Sequence, residues 1–498
     1  MEVRVLLAAP IFCLRKRLGK LLSMVSDGKG RGLSEIDHIA QIRDEWGALK
    51  PAFLVDLLTA LDADDVKSAR ALTRELHAAD MADVLQAIEQ PRRVQLIAVL
   101  GKNFDVEALA ELDEGTRDAI LDDLPNDVIA SAIKKLDTDD ALYLIEDMER
   151  SEQVEILSKV SKEDRVTLSR GLDYAENTAG RLMQTEFFAV PDSWSVGKVI
   201  DHARSSKDIP DSFVEIYVTD ESERLEGAVP LSRLLRSNRE KRISDIMDRE
   251  QTVFSVTDDQ EDVAYKFEQY NLVSAAVTDS TGRLVGMVMV DDILDVIREE
   301  SDDTILHLGG VGSEEEIGGS VVEITRLRFS WLFVNLLTAI LASWVISLFD
   351  ATIQQMVAIA VLMPIVASMG GNAGTQTMTV AVRALATREL GPVNAVRVVF
   401  RECAVGLING FLFAVIIGLF VWWWFGFGGL GLVIAIAMVI NLLAAALAGI
   451  LLPLVLDHFE SDPAISAAVF LTTVTDVVGF FSFLGLATLF LKLGFLKA

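Results

Sequence analysis

The sequence predicts a multidomain protein: an all-α helical-repeat array, then a pair of small α/β units, then an all-α polytopic membrane domain with five transmembrane helices. Three observations predict it. From residue 329 onward the chain is dominated by apolar runs, each long enough for the roughly 20-residue helix that crosses a bilayer. Between residues 176 and 303 one strand–helix–strand–strand–helix order occurs twice. Between 49 and 175 short apolar clusters recur about every dozen residues, separated by polar breaks, as in stacked short helices.

Charge divides the chain in the same way. Residues 321–498 hold equal numbers of acidic and basic side chains, so the first 320 carry the whole net charge of -28. A strongly acidic soluble portion argues against nucleic acid as a partner and favours cations. Cys13 and Cys403 are the two cysteines, with no CxxC, so neither a thiolate metal site nor a disulfide-linked partner is expected. No GxxxxGK[ST] motif is present, and no nucleophile–base pair stands out, so the chain does not read as an enzyme.

Taken in order, residues 1–48 form a leader. Its apolar stretch, 3–13, is too short to span a membrane, and most of its charge (Arg15, Lys16, Arg17, Lys20) follows that stretch rather than preceding it, against a secretory signal. In the array at 49–175, breaks such as Pro125-Asn126-Asp127 and Asp137-Thr138-Asp139-Asp140 predict helix starts capped by Asp or Asn. The first α/β unit occupies 176–245, with strands at 185–190, 213–219 and 225–230. The second occupies 246–303, with strands at 253–256, 274–277 and 284–290 and a last helix from Asp291 to about Glu300. That helix carries Asp291, Asp292, Asp295, Glu299 and Glu300, followed by Asp302 and Asp303, with only Arg298 against them. These acids read equally as a solvated face or as oxygen ligands for a hard divalent cation. Asp258, Asp259, Glu261 and Asp262 open an earlier helix, where acids are ordinary partners of the helix dipole.

A connecting helix or joint is expected at 304–328, with the glycine-rich LGGVGSEEEIGGS from Leu308 to Ser320. The membrane domain, 329–498, is read as spans at 329–349, 353–378, 396–422, 430–455 and 464–491. Arg326 and Arg328 mark the cytoplasmic mouth of the first. Arg383, Arg388, Arg397 and Arg401 put the loop after the second span inside the cell, which places the N-terminal domains in the cytoplasm and the C-terminus outside.

Two stretches in this domain are polar. MPIVASMGGNAGTQT, Met363 to Thr377, predicts a bent second span whose freed carbonyls and Asn372 face a solute path; close packing through small residues is the other reading. In the last span, TTVTDVVG places Asp476 in apolar surroundings. A lone carboxylate there must be protonated, paired, or facing water and cations, and proton coupling remains open.

The order of these pieces resembles the bacterial MgtE-type magnesium transporter family from about residue 49 to the end. The motifs that carry the resemblance are GRLM at 180–183, two units similar to cystathionine-beta-synthase (CBS) domains, VDDILDVIREESDDTILHLGG, PIVASMGGNAGTQT, Asp462-Pro463-Ala464 and TTVTDVVG. The resemblance implies a homodimer in the cell inner (plasma) membrane with a pore between subunits. It implies channel-like Mg2+ uptake, closed by Mg2+ on the N and CBS domains. By the same resemblance Asp476 and Asn372 belong to the pore, and Asp259, Glu261, Asp292, Asp295, Glu300 and Asp303 to regulatory Mg2+ sites. Asn271 and Thr304 stand where acids are expected. CBS units often bind nucleotides, but no residue here names a nucleotide site. An ion-gradient-coupled divalent cation carrier and a membrane-anchored Mg2+ sensor without transport are the competing readings.

Overall fold

The computed structural model describes residues 42–206, 209–210, 212–312, 321–391, 393–459 and 463–496. Nearly all of the leader, the 313–320 part of the glycine-rich joint, and Asp462 lie outside them. The chain divides into two compact units at Leu294/Asp295.

The first unit begins with an array of short helices: α1 (Pro51–Asp62), α2 (Val66–Thr73), α3 (Ala78–Ala87), α4 (Gln90–Leu100), α5 (Glu114–Asp123), α6 (Asn126–Ile133), α7 (Thr138–Ile145), α8 (Arg150–Lys159) and α9 (Lys162–Asp173). One continuous core of Leu, Ile, Val and Ala side chains runs through the array, from Ile42 to Leu168, because no single short helix can bury its own stripe. Side-chain caps occur at Asp65, Asp113 and Ser161. The two breaks singled out in the sequence behave differently. Pro125 is the capping residue of α6, and the Asp137 side chain does not cap α7. The α7 start is capped instead by Glu186, a residue far along the chain, whose carboxylate accepts from the Thr138 backbone N–H at 3.2 Å and its hydroxyl at 2.7 Å.

Arg117 is the one charged side chain shut inside this array among the described residues, at 1% exposure. Its guanidinium donates to Asp118 at 2.8 Å, Asp147 at 2.5 Å and the Tyr143 carbonyl at 2.8 Å, and lies 4.1 Å over the Tyr143 ring. Arg117→Ala leaves these acceptors unpaired and a cavity behind, so thermal or urea unfolding of the variant is expected to show a loss of roughly 3–5 kcal/mol.

A short helix, α10 (Ala179–Leu182), leads into the duplicated region. The first repeat contains β1 (Ala189–Pro191), α11 (Val196–Ser205), β2 (Glu215–Thr219), β3 (Leu225–Pro230) and α12 (Leu231–Arg236). The second contains β4 (Val253–Ser255), α13 (Gln260–Tyr270), β5 (Ser274–Thr278), β6 (Leu284–Met289) and α14 (Val290–Leu308). Each sheet pairs its first strand parallel and its third antiparallel to the middle one, with a register irregularity at the same place, Val218/Thr219 and Val277/Thr278. Equivalent positions also bond reciprocally between repeats: Leu225 N–H to Gly282 C=O and Leu284 N–H to Glu223 C=O.

Three local differences from the sequence reading have physical reasons. β1 is only three residues long, because the chain before it bends to pair Gln184 with Met287 in an isolated bridge. α14 runs on to Leu308, since nothing between Glu300 and Leu308 breaks a helix, and Thr304 turns its hydroxyl back to the Glu300 carbonyl. Asn271 ends α13 in the left-handed conformation (φ 52°, ψ 48°), a position that Asn tolerates better than most side chains.

The membrane unit holds α15 (Val321–Ser347), α16 (Asp350–Gln355), α17 (Val357–Ala386), α18 (Ala395–Phe425), α19 (Gly428–His458) and α20 (Pro463–Lys492). Apart from the short α16, all are long and apolar enough to cross a membrane. α19 is the central helix, packed on α17, α18 and α20. Its seam with α18 is made by small residues four apart, Gly406, Gly410, Ala414 and Gly418. A Cβ on Gly406 would stand 2.7 Å from that of Ala446, and one on Gly418 would stand 3.1 Å from the Gly431 carbonyl.

The second span, expected as a bent helix, keeps Pro364 inside one helix. α17 is helical from Val357 to Ala386, and the chain breaks before it, at Met356 (φ -145°, ψ 95°). One proline removes one N–H and frees one carbonyl. The glycines stay helical because two of them are needed for packing: a Cβ on Gly374 would meet Leu471 at 2.7 Å, and one on Gly370 would overlap the Asn441 amide. The small-residue reading therefore holds for Gly370 and Gly374.

Candidate ion path and acidic seam

The helical course of α17 leaves a polar face. Asn372, Thr375, Gln376 and Thr379 recur at helical spacing, and all four are exposed in the single chain. Gly371 on this face has open space where a side chain would be. On α20, which packs against α17, Thr472 is exposed and Asp476 half-exposed. Asp476 makes no salt bridge among the described residues. Glu402, on α18, pairs with its neighbour Arg401 at 3.3 Å. The structure thus keeps Asn372 and Asp476 on adjacent helices, with polar surface that lipid cannot hydrate.

The acidic side chains of the first unit are sorted more sharply than in the sequence. Asp292, in the first turn of α14, shares a side-chain hydrogen bond with Asp139 at the start of α7, and Asp140 is near enough to act on it by charge. Burial raises the Asp139 carboxyl well above the usual range, and Asp292 and Asp140 beside it add to the effect. Burial, with Asp291 next, pushes Asp292 up to about 7, although the Met289 N–H donates to it at 3.2 Å. Burial and then Asp137, Glu107, Glu111 and Asp291 push Asp140 up to about 6. Asp139 is partly exposed along its length, yet its Oδ1 is shut off from solvent with no hydrogen-bond partner.

These acids have no basic partner among the described residues, and a hard dication would relieve their repulsion; the three acids whose oxygens lie close enough together to share one ion, among the described residues, are Glu114, Asp118 and Asp147. Asp139 and Asp140 were read in the sequence as helix-start residues. The signal that separates them from other helix-start acids is long-range, the approach of α14.

The remaining predicted acids are placed as follows. Asp259 caps α13, accepting from the Glu261 N–H at 2.9 Å, and Glu261 is exposed in the same first turn. Asp295 is exposed, and Glu300 and Asp303 are half-exposed, on later turns of α14. Leu308 at the end of α14 packs against a cluster of Met378, Val382, Ala448, Ala467 and Leu471, drawn from α17, α19 and α20. The GRLM motif has a packing explanation. A Cβ on Gly180 would stand 2.7 Å from the Val256 carbonyl, and Gly180 N–H donates to that carbonyl at 3.0 Å, which docks α10 on the second repeat.

A five-helix membrane unit with a polar face on one of its helices, joined to a duplicated α/β region and a helical array, defines a multi-pass membrane protein of the transporter class. Residues 363–486 match the family model of a divalent cation transporter, residues 76–177 the MgtE intracellular N domain, and residues 243–299 the CBS domain. The chain is 30% identical over 321 residues to the magnesium transporter MgtE of Enterococcus faecalis, covering 64% of this chain and 71% of that one. It is 29% identical over 459 residues to that of Thermus thermophilus, covering 88% and 98%. It is 26% identical over 438 residues to that of Bacillus subtilis, covering 88% and 97%. The chain belongs to the MgtE family of magnesium transporters, whose members are transporters and not enzymes.

Proposed function

We propose that this chain is a channel-like importer of Mg2+, a homodimer in the inner (plasma) membrane whose soluble region, residues 49–303, lies in the cytoplasm and closes the path when Mg2+ is plentiful. The C-terminus is then outside. The observation that carries the reading is the polar face of α17 together with Asp476 on α20, exposed in a single chain whose neighbouring surfaces are apolar. A second copy covering that face turns a costly lipid contact into a hydrated path lined twice by the same residues. Mg2+ sheds water reluctantly, so a carboxylate and an amide per subunit suit a hydrated ion held through its water shell. An inside-negative potential supplies roughly 2.3 kcal/mol per charge per 100 mV, twice that for a dication, so no ATP step is required.

For closure, Asp139, Asp140 and Asp292 are the residues that would hold a regulatory Mg2+, and Asp259, Glu261, Asp295, Glu300 and Asp303 would hold others. Bound there, the ion supplies the positive charge that the acids lack. Without it the ionised acids of α7 and α14 repel, which loosens the contact between the helical array and the second repeat. α14 reaches from Asp292 to Leu308, whose side chain packs against a cluster drawn from α17, α19 and α20, so its position bears on the path-lining helices.

The test is Mg2+ flux into proteoliposomes at clamped voltage, with and without pH and Na+ gradients. Uptake that follows voltage alone is expected. Uptake that requires a pH or Na+ gradient would instead make the chain a coupled carrier with Asp476 as coupling group, and no flux under any condition would leave a sensor.

A further inference from the structure

Asn441 is a polar residue in the most apolar of the candidate spans. It is 0% exposed at the centre of α19. Its Nδ2 donates to the Val366 carbonyl of α17 at 2.8 Å. The same amide fills the space left by two glycines on two other helices. A Cβ on Gly370 of α17 would stand 2.2 Å from Nδ2, and one on Gly479 of α20 would stand 2.8 Å from it. Gly370 lies two residues before Asn372, and Gly479 three residues after Asp476. One side chain therefore touches both path helices at the level of their polar residues.

Stability alone does not account for an amide here. Burying it in an apolar membrane core is costly, its Oδ1 is buried without a partner, and leucine has the same branching without polar atoms. What leucine lacks is the directed bond to Val366.

We infer that Asn441 is a positioning residue for cation passage. Its amide fixes α17 against α20, so that Asn372 and Asp476 keep the spacing a hydrated dication needs. The inference rests on the reading that these two residues line the path. Gly370 and Gly479 supply the close approach, and Asn441 supplies the register. A site that binds an ion through its water shell has little else to enforce distance, so a small slide of α17 along α20 changes both flux and choice of ion.

The test uses the full chain in proteoliposomes, with Asn441→Leu, Asn441→Asp and Asp476→Asn beside wild type. Each is checked for assembly by size-exclusion profile and thermal midpoint. Asn441→Leu is expected to assemble as wild type, to lose Mg2+ flux by roughly tenfold or more, and to change the ratio of Mg2+ to Ca2+ flux. Asn441→Asp keeps the shape and donates to Val366 only when protonated. Its flux, divided by that of wild type at each pH to remove any contribution from Asp476, should therefore rise as pH falls. Wild-type flux and ion ratio in Asn441→Leu overturn the inference. If Asn441→Leu fails to assemble, a flat Asn441→Asp ratio across pH overturns it. Normal flux in Asp476→Asn removes the path reading itself, and the inference with it. Loss of flux in Asp476→Asn beside a normal Asn441→Leu removes the inference alone.

Discussion

Asp476→Asn is expected to assemble normally and to lose Mg2+ flux by about a hundredfold, the equivalent of ~3 kcal/mol less stabilisation of the ion in the path. The substitution keeps size and hydrogen-bonding capacity and removes one negative charge per subunit. In a dimer two such charges near one axis repel, and a hydrated dication between them offsets that repulsion. With neutral amides the passing ion loses both attractions, and the anion-excluding field goes with them. The half-exposed position of Asp476 on α20, without a salt-bridge partner among the described residues, leaves its charge available for this role. The measurement is Mg2+ flux at clamped voltage in proteoliposomes holding equal amounts of assembled protein. Flux equal to wild type rejects Asp476 as the central ligand of the ion.

The membrane helices and the duplication were legible because their signals are local. Apolar length announces a span. The alternation of strand and helix signals announces the repeats, and β3, Leu225–Pro230, falls where its residues predict it. Asp476 was legible for the same reason, since one acid in an apolar run needs no partner to be noticed. What the sequence hid depends on contacts between distant residues. Glu186 caps α7 from outside the helical array. Asp139 becomes a candidate ligand only because α14 brings Asp292 to it. Asn441 looks like a tolerated polar residue until Gly370 and Gly479 are seen to make room for it. Pro364 is a local signal of another kind. A proline beside glycines suggests a bend with freed carbonyls, packing against α19 and α20 accounts for Gly370 and Gly374, and the break in helix falls at Met356, where no proline or glycine marks it.

In the first unit, protons and Mg2+ are expected to substitute for one another at the acidic seam. Burial and the neighbouring acids push Asp292 up to about 7 and Asp140 up to about 6, and raise Asp139 in the same direction. A carboxyl whose folded value lies above its unfolded value favours the packed state while protonated. That contribution is complete below about pH 4 and is lost as pH rises through 6 and 7, on the order of a few kcal/mol across the cluster. At pH 5.5 the contact of α7 with α14 should therefore hold without Mg2+. At pH 8 it should open without the ion and close as the ion is added, because a ligand shifts an equilibrium only through its preference for one state. Asp139→Asn with Asp292→Asn removes both the repulsion and the ligands, so the contact should hold at pH 8 with or without Mg2+. Hydrogen exchange reads this directly. The Thr138 N–H, next to Asp139, is bonded to Glu186 in the segment before β1, and peptides covering the start of α7 and residues 184–187 report the loosening of this region. Protection factors, corrected for the intrinsic effect of pH on exchange, should be high at pH 5.5, low at pH 8 without Mg2+, and high again in millimolar Mg2+. Ca2+ at equal ionic strength serves as control. Equal protection at both pH values without Mg2+, or an unchanged Mg2+ response in the double variant, removes this cluster as the sensor and leaves the transport reading untouched.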